Sequence, residues 1–367
     1  MRITQSMLIR SNLNYISNNY ERYGEIQDQI NSGKKITRPS QDPVIAMKGM
    51  RYRSQVVEVE QFQRNLSEAY SWMDNADASL DKTTQILQRM KELVVQASND
   101  TYTTEDRKAA AMEVEQLEEH LVAMANTKVG DKYIFNGTNT NAKPVDLENI
   151  HKEIADVAGN AANMVITYQG KQFNYDSTSV SPNFKYTDGI KEITVNTGSG
   201  SMSINPAPIS PATFNQDDVV ISQLGSIPTN QQDFRIEVMK GITLPVNITP
   251  QNVYSAELFH DISNLKAALE DPSQKGGDIG EFLNKIEDHL SSVTQERAEL
   301  GARYNRVELV DERLAQQEII ANQTMSENED IDFEKAIVDL TSQESLHRAA
   351  LAAGARIIQP TLMDFLR

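Results

Sequence analysis

The feature that most constrains this chain is a row of apolar residues stepping alternately by three and four positions. It runs Val59, Phe62, Leu66, Ala69, Met73, Ala76, Leu80, Thr83, Leu87, Met90, Val94 and Ala97, and Thr83 is its one polar member. Side chains at this spacing line a narrow stripe on an α-helix, and such a helix is stable only when another helix covers the stripe. At a rise of 1.5 Å per residue the segment from Val59 to Ala97 is about 58 Å long. A chain carrying such an element is organised around long paired helices.

Similar seams recur at both ends. Ile9, Leu13, Ile16, Tyr20, Tyr23 and Ile30 form one, interrupted at Gln27, and Ala110, Val114, Leu117, Leu121 and Met124 form another. Toward the other end, Leu258, Ile262, Leu265 and Leu269 precede Ile279, Leu283, Ile286, Leu290, Val293, Leu300, Tyr304, Val307 and Leu314, with Arg297, Asp311 and Glu318 as interruptions. The last seam is Phe333, Ile337, Leu340, Leu351 and Ile358, with Glu344, His347 and Gly354 at intervening positions. Asn31, Ser32 and Gly33 stop the first helix, while Asp42 and Pro43 suit the N-cap and first position of the next. Thr103 with Asp106 reads as a capping box, and Asp278 with Glu281 offers the same start before the long C-terminal helix.

Between about residues 141 and 250 the period changes. Met164–Tyr168, Ile193–Val195, Phe234–Met239 and Ile242–Ile248 are short β-prone runs separated by Gly, Pro, Ser and Asn. Residues 198–214 read as turns and loop, and FRIEVMKGITLPVNI as a strand or hairpin. The expected fold class is mainly α with a β-rich insertion: a long antiparallel helical bundle built from both chain ends, with a central β domain. At 367 residues two or three domains are expected. The seams divide them into residues 1–40 with 325–367, a terminal helical assembly domain disordered in the monomer; 41–140 with 251–324, a helical rod; and 141–250, a β-rich outer domain.

Composition narrows the function. The net charge of -17 repels phosphate backbones and anionic lipid, so no nucleic-acid partner is expected, and the zero cysteines remove disulfides, thiolate metal sites and thiol nucleophiles. The first twenty residues lack the apolar run of a cleaved secretory signal. His120, His151, His260, His289 and His347 are spread singly, which suits structural or solvated roles; only His347, on the last seam, invites a pH-sensing role. Glu118 and Glu119 read as a solvated helix face, the glycines near 198–200 and 276–280 as turns, and Lys34, Lys35 and Arg38 as a basic break between helices without the aromatics a nucleic-acid site needs. No catalytic residue, metal site, cofactor or small-molecule substrate is expected; an enzyme hidden in 141–250 is the weakest reading, and a glycan-binding insertion stays open. What the helices do suggest is association, since the polar interruptions of the terminal seams weaken an isolated pair and point to segments ordered on assembly.

Motifs then add a resemblance. SGKKITRPSQDPVIAMKGM from Ser32, LQRMKELVVQASNDTYTTEDRKAAAMEVEQL from Leu87, GDKYIFNGTNT from Gly130, VTQERAELGARYNRVE from Val293 and LAAGARIIQPTLMDFLR from Leu351 resemble the terminal regions of the bacterial flagellin family. Ser32, Gly33, Arg38, Pro39, Ser40, Asp42 and Pro43 are similar to the connector of the family's hook-associated subgroup, with Gln41 in place of the usual Asp. The resemblance covers roughly residues 1–140 and 251–367. It implies a structural subunit, not an enzyme, located outside the cell in the flagellum. Such a subunit forms a ring of its own copies between a preceding hook-associated protein and the filament of flagellin. It also implies export through the flagellar secretion apparatus with an uncleaved signal and an export chaperone as partner. The implied assembly interface is Ile9, Leu13, Ile16, Tyr20, Tyr23, Ile30, Phe333, Ile337, Leu340, Leu351 and Ile358, continued by Leu362, Phe365 and Leu366. A filament-forming flagellin and a cytoplasmic coiled-coil scaffold or chaperone are the alternatives.

Overall fold

A computed structural model describes residues 5–99, 102–205, 214, 216–228, 230 and 232–358. In chain order the elements are α1 (Gln5–Ser32), α2 (Pro43–Ala97), α3 (Thr104–Ala125), β1 (Lys128–Val129), β2 (Lys132–Tyr133), α4 (Ile154–Asn160), β3 (Met164–Tyr168), β4 (Lys171–Tyr175), β5 (Asn183–Thr187), β6 (Glu192–Asn196), β7 (Ser201–Asn205), β8 (Val220–Gln223), β9 (Arg235–Met239), β10 (Ile242–Pro245), α5 (Pro250–Val253), α6 (Ala256–Glu270), α7 (Gly276–Gly280), α8 (Phe282–Glu329) and α9 (Phe333–Ile358). The chain divides into two compact units, Gln63–Asp311 and Met1–Phe62 with Glu312–Arg367.

In the unit Gln63–Asp311 the α2 seam is buried at every position from Leu66 to Ala97. Its polar member is satisfied: Thr83 Oγ1 donates to the Ser79 carbonyl and accepts from the Tyr254 hydroxyl, each at 2.9 Å. Helix α8 runs antiparallel to α2, as the Tyr70–Tyr304 ring contact (5.2 Å) and the Lys91–Glu287 ion pair (2.7 Å) record. Arg297, an interruption in the α8 seam, sends its guanidinium to Asp77 at 2.8 Å and Asp81 at 2.7 Å on α2. The buried side of α8 is a seven-residue repeat, Ile286, Val293, Leu300 and Val307, the spacing of a two-helix contact.

Helix α3 starts as expected: Thr103 Oγ1 accepts from the Asp106 amide, and the Asp106 carboxylate accepts from the Thr103 amide. It packs on α6, whose Leu258, Ile262, Leu265 and Leu269 are all buried. The expectation for Asp278 needs correction. Its carboxylate accepts from the Lys275 amide (3.2 Å) within the short α7, and α8 begins only at Phe282. A separate helical turn therefore intervenes where a direct cap was expected.

The β insertion holds a six-stranded antiparallel sheet ordered β7-β6-β5-β4-β3-β8. Alternation places Phe184, Tyr186, Ile193, Val195, Phe173 and Ile166 in one core, with Val157 of α4 packed in it. The Tyr186 hydroxyl donates to the Ala161 carbonyl at 3.0 Å. Strand β3 is buried on both sides and touches α6, which ties the sheet to the helices. Chain entry on β3 and exit on β8 are neighbours, paired from Met164–Gln223 to Thr167–Val220. Residues 198–214 were expected to be loop, but Ser201–Asn205 forms β7 on β6, with Ile193 opposite Ile204 and Val195 opposite Met202; Ile204 is buried and Met202 packs part-buried on the same core, the two apolar anchors of a short polar run. The expected hairpin is present as β9–β10, and Phe234 beside it stacks on Trp72 at 4.8 Å.

Candidate assembly interface

The unit of Met1–Phe62 with Glu312–Arg367 is built differently. Among its described residues the buried apolar side chains are only Leu314 and Ala336. A connector between α1 and α2 gives it most of its fixed polar geometry. Gly33 ends α1 in the left-handed region (φ +70°), its amide donating to Gln29 O at 2.9 Å, the ordinary use of glycine after a helix. The next residues pair with the chain between α8 and α9: Lys35 N donates to Glu329 O (2.7 Å), Ile331 N to Gly33 O (3.0 Å), and Lys34 faces Asp330. Gln29 Nε2 donates to Lys35 O at 2.7 Å, and Asn328 Nδ2 to Ile45 O at 3.1 Å.

The polar hub of this connector is Glu329, which is 5% exposed. Its carboxylate receives Arg53 at 2.5 Å and Lys34 at 3.4 Å, while Lys34 also reaches Asp330 at 2.7 Å. Burial pushes the Glu329 pKa up, but Arg53 and Lys34 outweigh it and hold the group below the usual carboxylate range. Lys34 holds Asp330 down in the same way, with Ser326 adding to it. Gly49 makes room for the hub: a Cβ there would lie 2.4 Å from Glu329 Oε1. Gln41 accounts for its own departure from the family pattern, since its Oε1 accepts from the amides of Thr37 (2.8 Å) and Arg38 (3.0 Å). Asp42 caps α2 as expected, accepting from Val44 N and Ile45 N at 2.9 and 3.0 Å, with Pro43 in the first helical position.

Helices α1 and α9 pack antiparallel; Tyr20 meets His347 near mid-length, with ring centroids 5.8 Å apart, and Asn12 meets Gly354 at the other end. The contact face differs from the apolar rows read in the sequence. On α1 the less exposed positions include the row Asn12, Ile16, Asn19, Tyr23, Ile26 and Ile30, with Gly24 and Gln29 beside it; on α9 they include Ala336, Leu340, Gln343, His347, Ala350 and Gly354, with Glu344 beside them. Both rows step by four and three. Ile16, Tyr23, Ile30 and Leu340 are the expected residues that lie on this face. Leu13, Phe333, Ile337 and Leu351 are about half exposed or more, and Tyr20 is 68% exposed although one side of its ring meets His347, so most of their apolar surface is left outside the contact. Ile9 and Ile358 lie in helices, but their side chains fall outside the described residues, as do Leu362, Phe365 and Leu366 entirely.

Sequence reasoning missed Asn12, Gln343 and the small residues Ala336 and Ala350. Three side-chain atoms on this face, Asn12 Oδ1, Gln343 Nε2 and His347 Nδ1, are buried without a hydrogen-bond partner. Such atoms each cost about 1–3 kcal/mol. The face is thus close-packed and poorly satisfied, while large apolar groups point away from it. A Cβ at Gly354 would come within 3.2 Å of Asn12 Oδ1, so the missing side chain permits that approach. The meeting of Arg53 with Glu329 was equally invisible in the sequence, because the two residues are 276 positions apart.

Residues 3–140 match the bacterial flagellin N-terminal helical region, and residues 283–366 the bacterial flagellin C-terminal helical region. The chain belongs to the bacterial flagellin family. Flagellar hook-associated protein 3 of Salmonella typhimurium is 27% identical over 53% of this chain, which spans 64% of that protein's length. A flagellin of Clostridium tyrobutyricum is 25% identical over 95% of this chain and 96% of its own. The solved structure of a Vibrio parahaemolyticus protein described as flagellar hook-associated covers 79% of this chain and 100% of its own, at 17% identity and TM-score 0.53; that likeness shows a shared fold. As a member of the flagellin family, the protein is a structural component of the bacterial flagellum.

Proposed function

We propose that this flagellin-family chain is the junction subunit between the hook-associated zone and the flagellin filament, forming a ring of its own copies. The observation that carries the assembly part is the terminal unit with almost no apolar core of its own, whose large apolar side chains face outward beside a polar, under-satisfied helix contact. Burial is the main favourable term in folding, so such a unit gains most of its order when neighbours cover Leu13, Tyr20, Phe333, Ile337 and Leu351. Ile9, Ile358, Leu362, Phe365 and Leu366 extend the same interface. The terminal assembly domain, residues 1–40 with 325–367, then becomes ordered with assembly, the helical rod supports it, and the β-rich domain of residues 141–250 lies outside. Export before folding, through the flagellar secretion apparatus and with a chaperone, is what the family resemblance adds to this reading, and a terminal unit with little core of its own suits it.

The choice of junction over filament rests on Arg38, Pro39, Ser40, Asp42 and Pro43, whose pattern resembles the hook-associated subgroup; overall identity favours neither. Immunogold labelling of isolated flagella tests it. A single band next to the hook is expected. Label distributed along the filament would make this a flagellin, and label confined to the cytoplasm would make it a scaffold or chaperone. Removal of residues 359–367 is expected to abolish incorporation.

A further inference from the structure

Charge is distributed very unevenly in the terminal unit. Residues 34–53 hold six lysines and arginines against one carboxylate, Asp42, in a chain of net charge -17; residues 327–344 hold seven carboxylates against one lysine. Part of this is used internally, where Lys34 and Arg53 meet Glu329 and Asp330. Of the remainder, Lys48 and Arg51 lie on α2, and Glu334, Asp339 and Glu344 on α9. Val44, Met47, Lys48 and Arg51 follow each other by three, one and three residues and so share one side of α2; Glu334, Ile337, Val338 and Thr341 share one side of α9 by the same spacing. All eight are exposed, and Val44, Met47, Ile337 and Val338 each by more than half. Asp339 is exposed beside Val338. The α9 row also lies apart from the positions Ala336, Leu340 and Gln343 that meet α1.

Each row is an apolar strip edged by charge, basic on α2 and predominantly acidic on α9, where Lys335 alone among residues 334–344 has the other sign. Apolar centre with polar rim is the anatomy of protein–protein contacts, and opposite potentials fix register and partner choice. We propose that these rows are the two halves of a head-to-tail contact between copies of this chain: Val44, Met47, Lys48 and Arg51 of one copy seat on Glu334, Ile337, Val338 and Asp339 of the next. Two different faces on each copy make the contact heterologous, and a heterologous contact propagates into a ring where the rotation closes. A self-matching face would give only a pair. The inference rests on the reading that copies of this chain assemble side by side, and supplies the surfaces that do it.

The absence of cysteine from the sequence makes the test direct. Arg51→Cys and Glu334→Cys are introduced together in the full chain, flagella are isolated, and the disulfide is formed with a mild oxidant. A ladder of crosslinked multimers is expected, while chains carrying either cysteine alone give no ladder and a mixture of the two single-cysteine chains gives dimers. A chain that incorporates normally without crosslinking overturns the contact and leaves the junction assignment standing; a ladder from label spread along the filament keeps the contact and overturns the junction. Charge reversal covers failure of the cysteine variants to incorporate. K48E with R51E, and E334K with D339K, are each expected to lower incorporation by on the order of tenfold, and all four together in one chain to restore it. Wild-type incorporation by either pair alone, or no recovery in the fourfold variant, overturns the proposal.

Discussion

Two residues show how much depends on single side chains. Gly49 is needed because Glu329 occupies the space its Cβ would take. Gly49→Ala is expected to displace the carboxylate from Arg53 and Lys34 and to cost the terminal unit about 1–3 kcal/mol. Amide exchange would detect it as faster opening at Lys35 and Ile331, whose amides pair across the connector; unchanged exchange would mean the hub does not hold it. Glu118 is the opposite case: burial pushes its carboxyl to about 7, Lys266 opposes this and Glu115 and Glu119 add to it. A raised carboxyl pKa stabilises the fold fully below the unfolded value of 4.5 and loses that contribution as pH rises through 7. Glu118→Gln is therefore expected to raise Tm at pH 8, by an amount worth about 2 kcal/mol, and to change little at pH 4. Nothing in the sequence hints at this, because Glu118 and Glu119 read alike as solvated and only the packing of α3 on α6 separates them.

At the scale of elements, what the sequence revealed depended on where each helix puts its apolar residues. The α2 row was legible because from Leu66 onward every member lies in the core. The α1 and α9 rows were legible only in part. There Leu13, Tyr20, Phe333, Ile337 and Leu351 lie largely outside the pair, while on the contact face His347 and Gly354 read as interruptions and Asn12 and Gln343 carried no apolar signal. Strand β7 was missed for a related reason, since its order comes from pairing with β6 rather than from its own composition. Filling the polar contact is expected to strengthen it: Gln343→Leu with His347→Leu removes two partnerless buried atoms. Amide exchange in α1 and α9 of the purified chain should slow by about tenfold or more. The same variant is expected to incorporate poorly, because a pair already stable alone gains less from assembly and resists passage through a secretion channel. Unchanged exchange would sink this account of the helix contact.

For the whole molecule, two units of one chain follow different rules. Gln63–Asp311 contains nearly all of the described buried apolar residues, and the terminal unit contains Leu314 and Ala336. Limited proteolysis of the purified protein is expected to remove the ends first and leave a resistant fragment close to residues 63–311; equal resistance of both would contradict ordering by assembly. Acid adds a second distinction. Glu329 and Asp330 are held below their ordinary range, so the stability they contribute is present above pH 4.5 and fades as pH falls beneath it, loosening the connector. The six-stranded sheet has a consequence of another kind. Its polypeptide arrives on β3 and departs on the adjacent β8, so everything between, β4 to β7, is a cassette whose two ends are anchored side by side. A short foreign peptide grafted at the exposed Gly189–Ile190 bend would therefore be carried between two fixed ends, and its length could be varied without pulling β3 from β8.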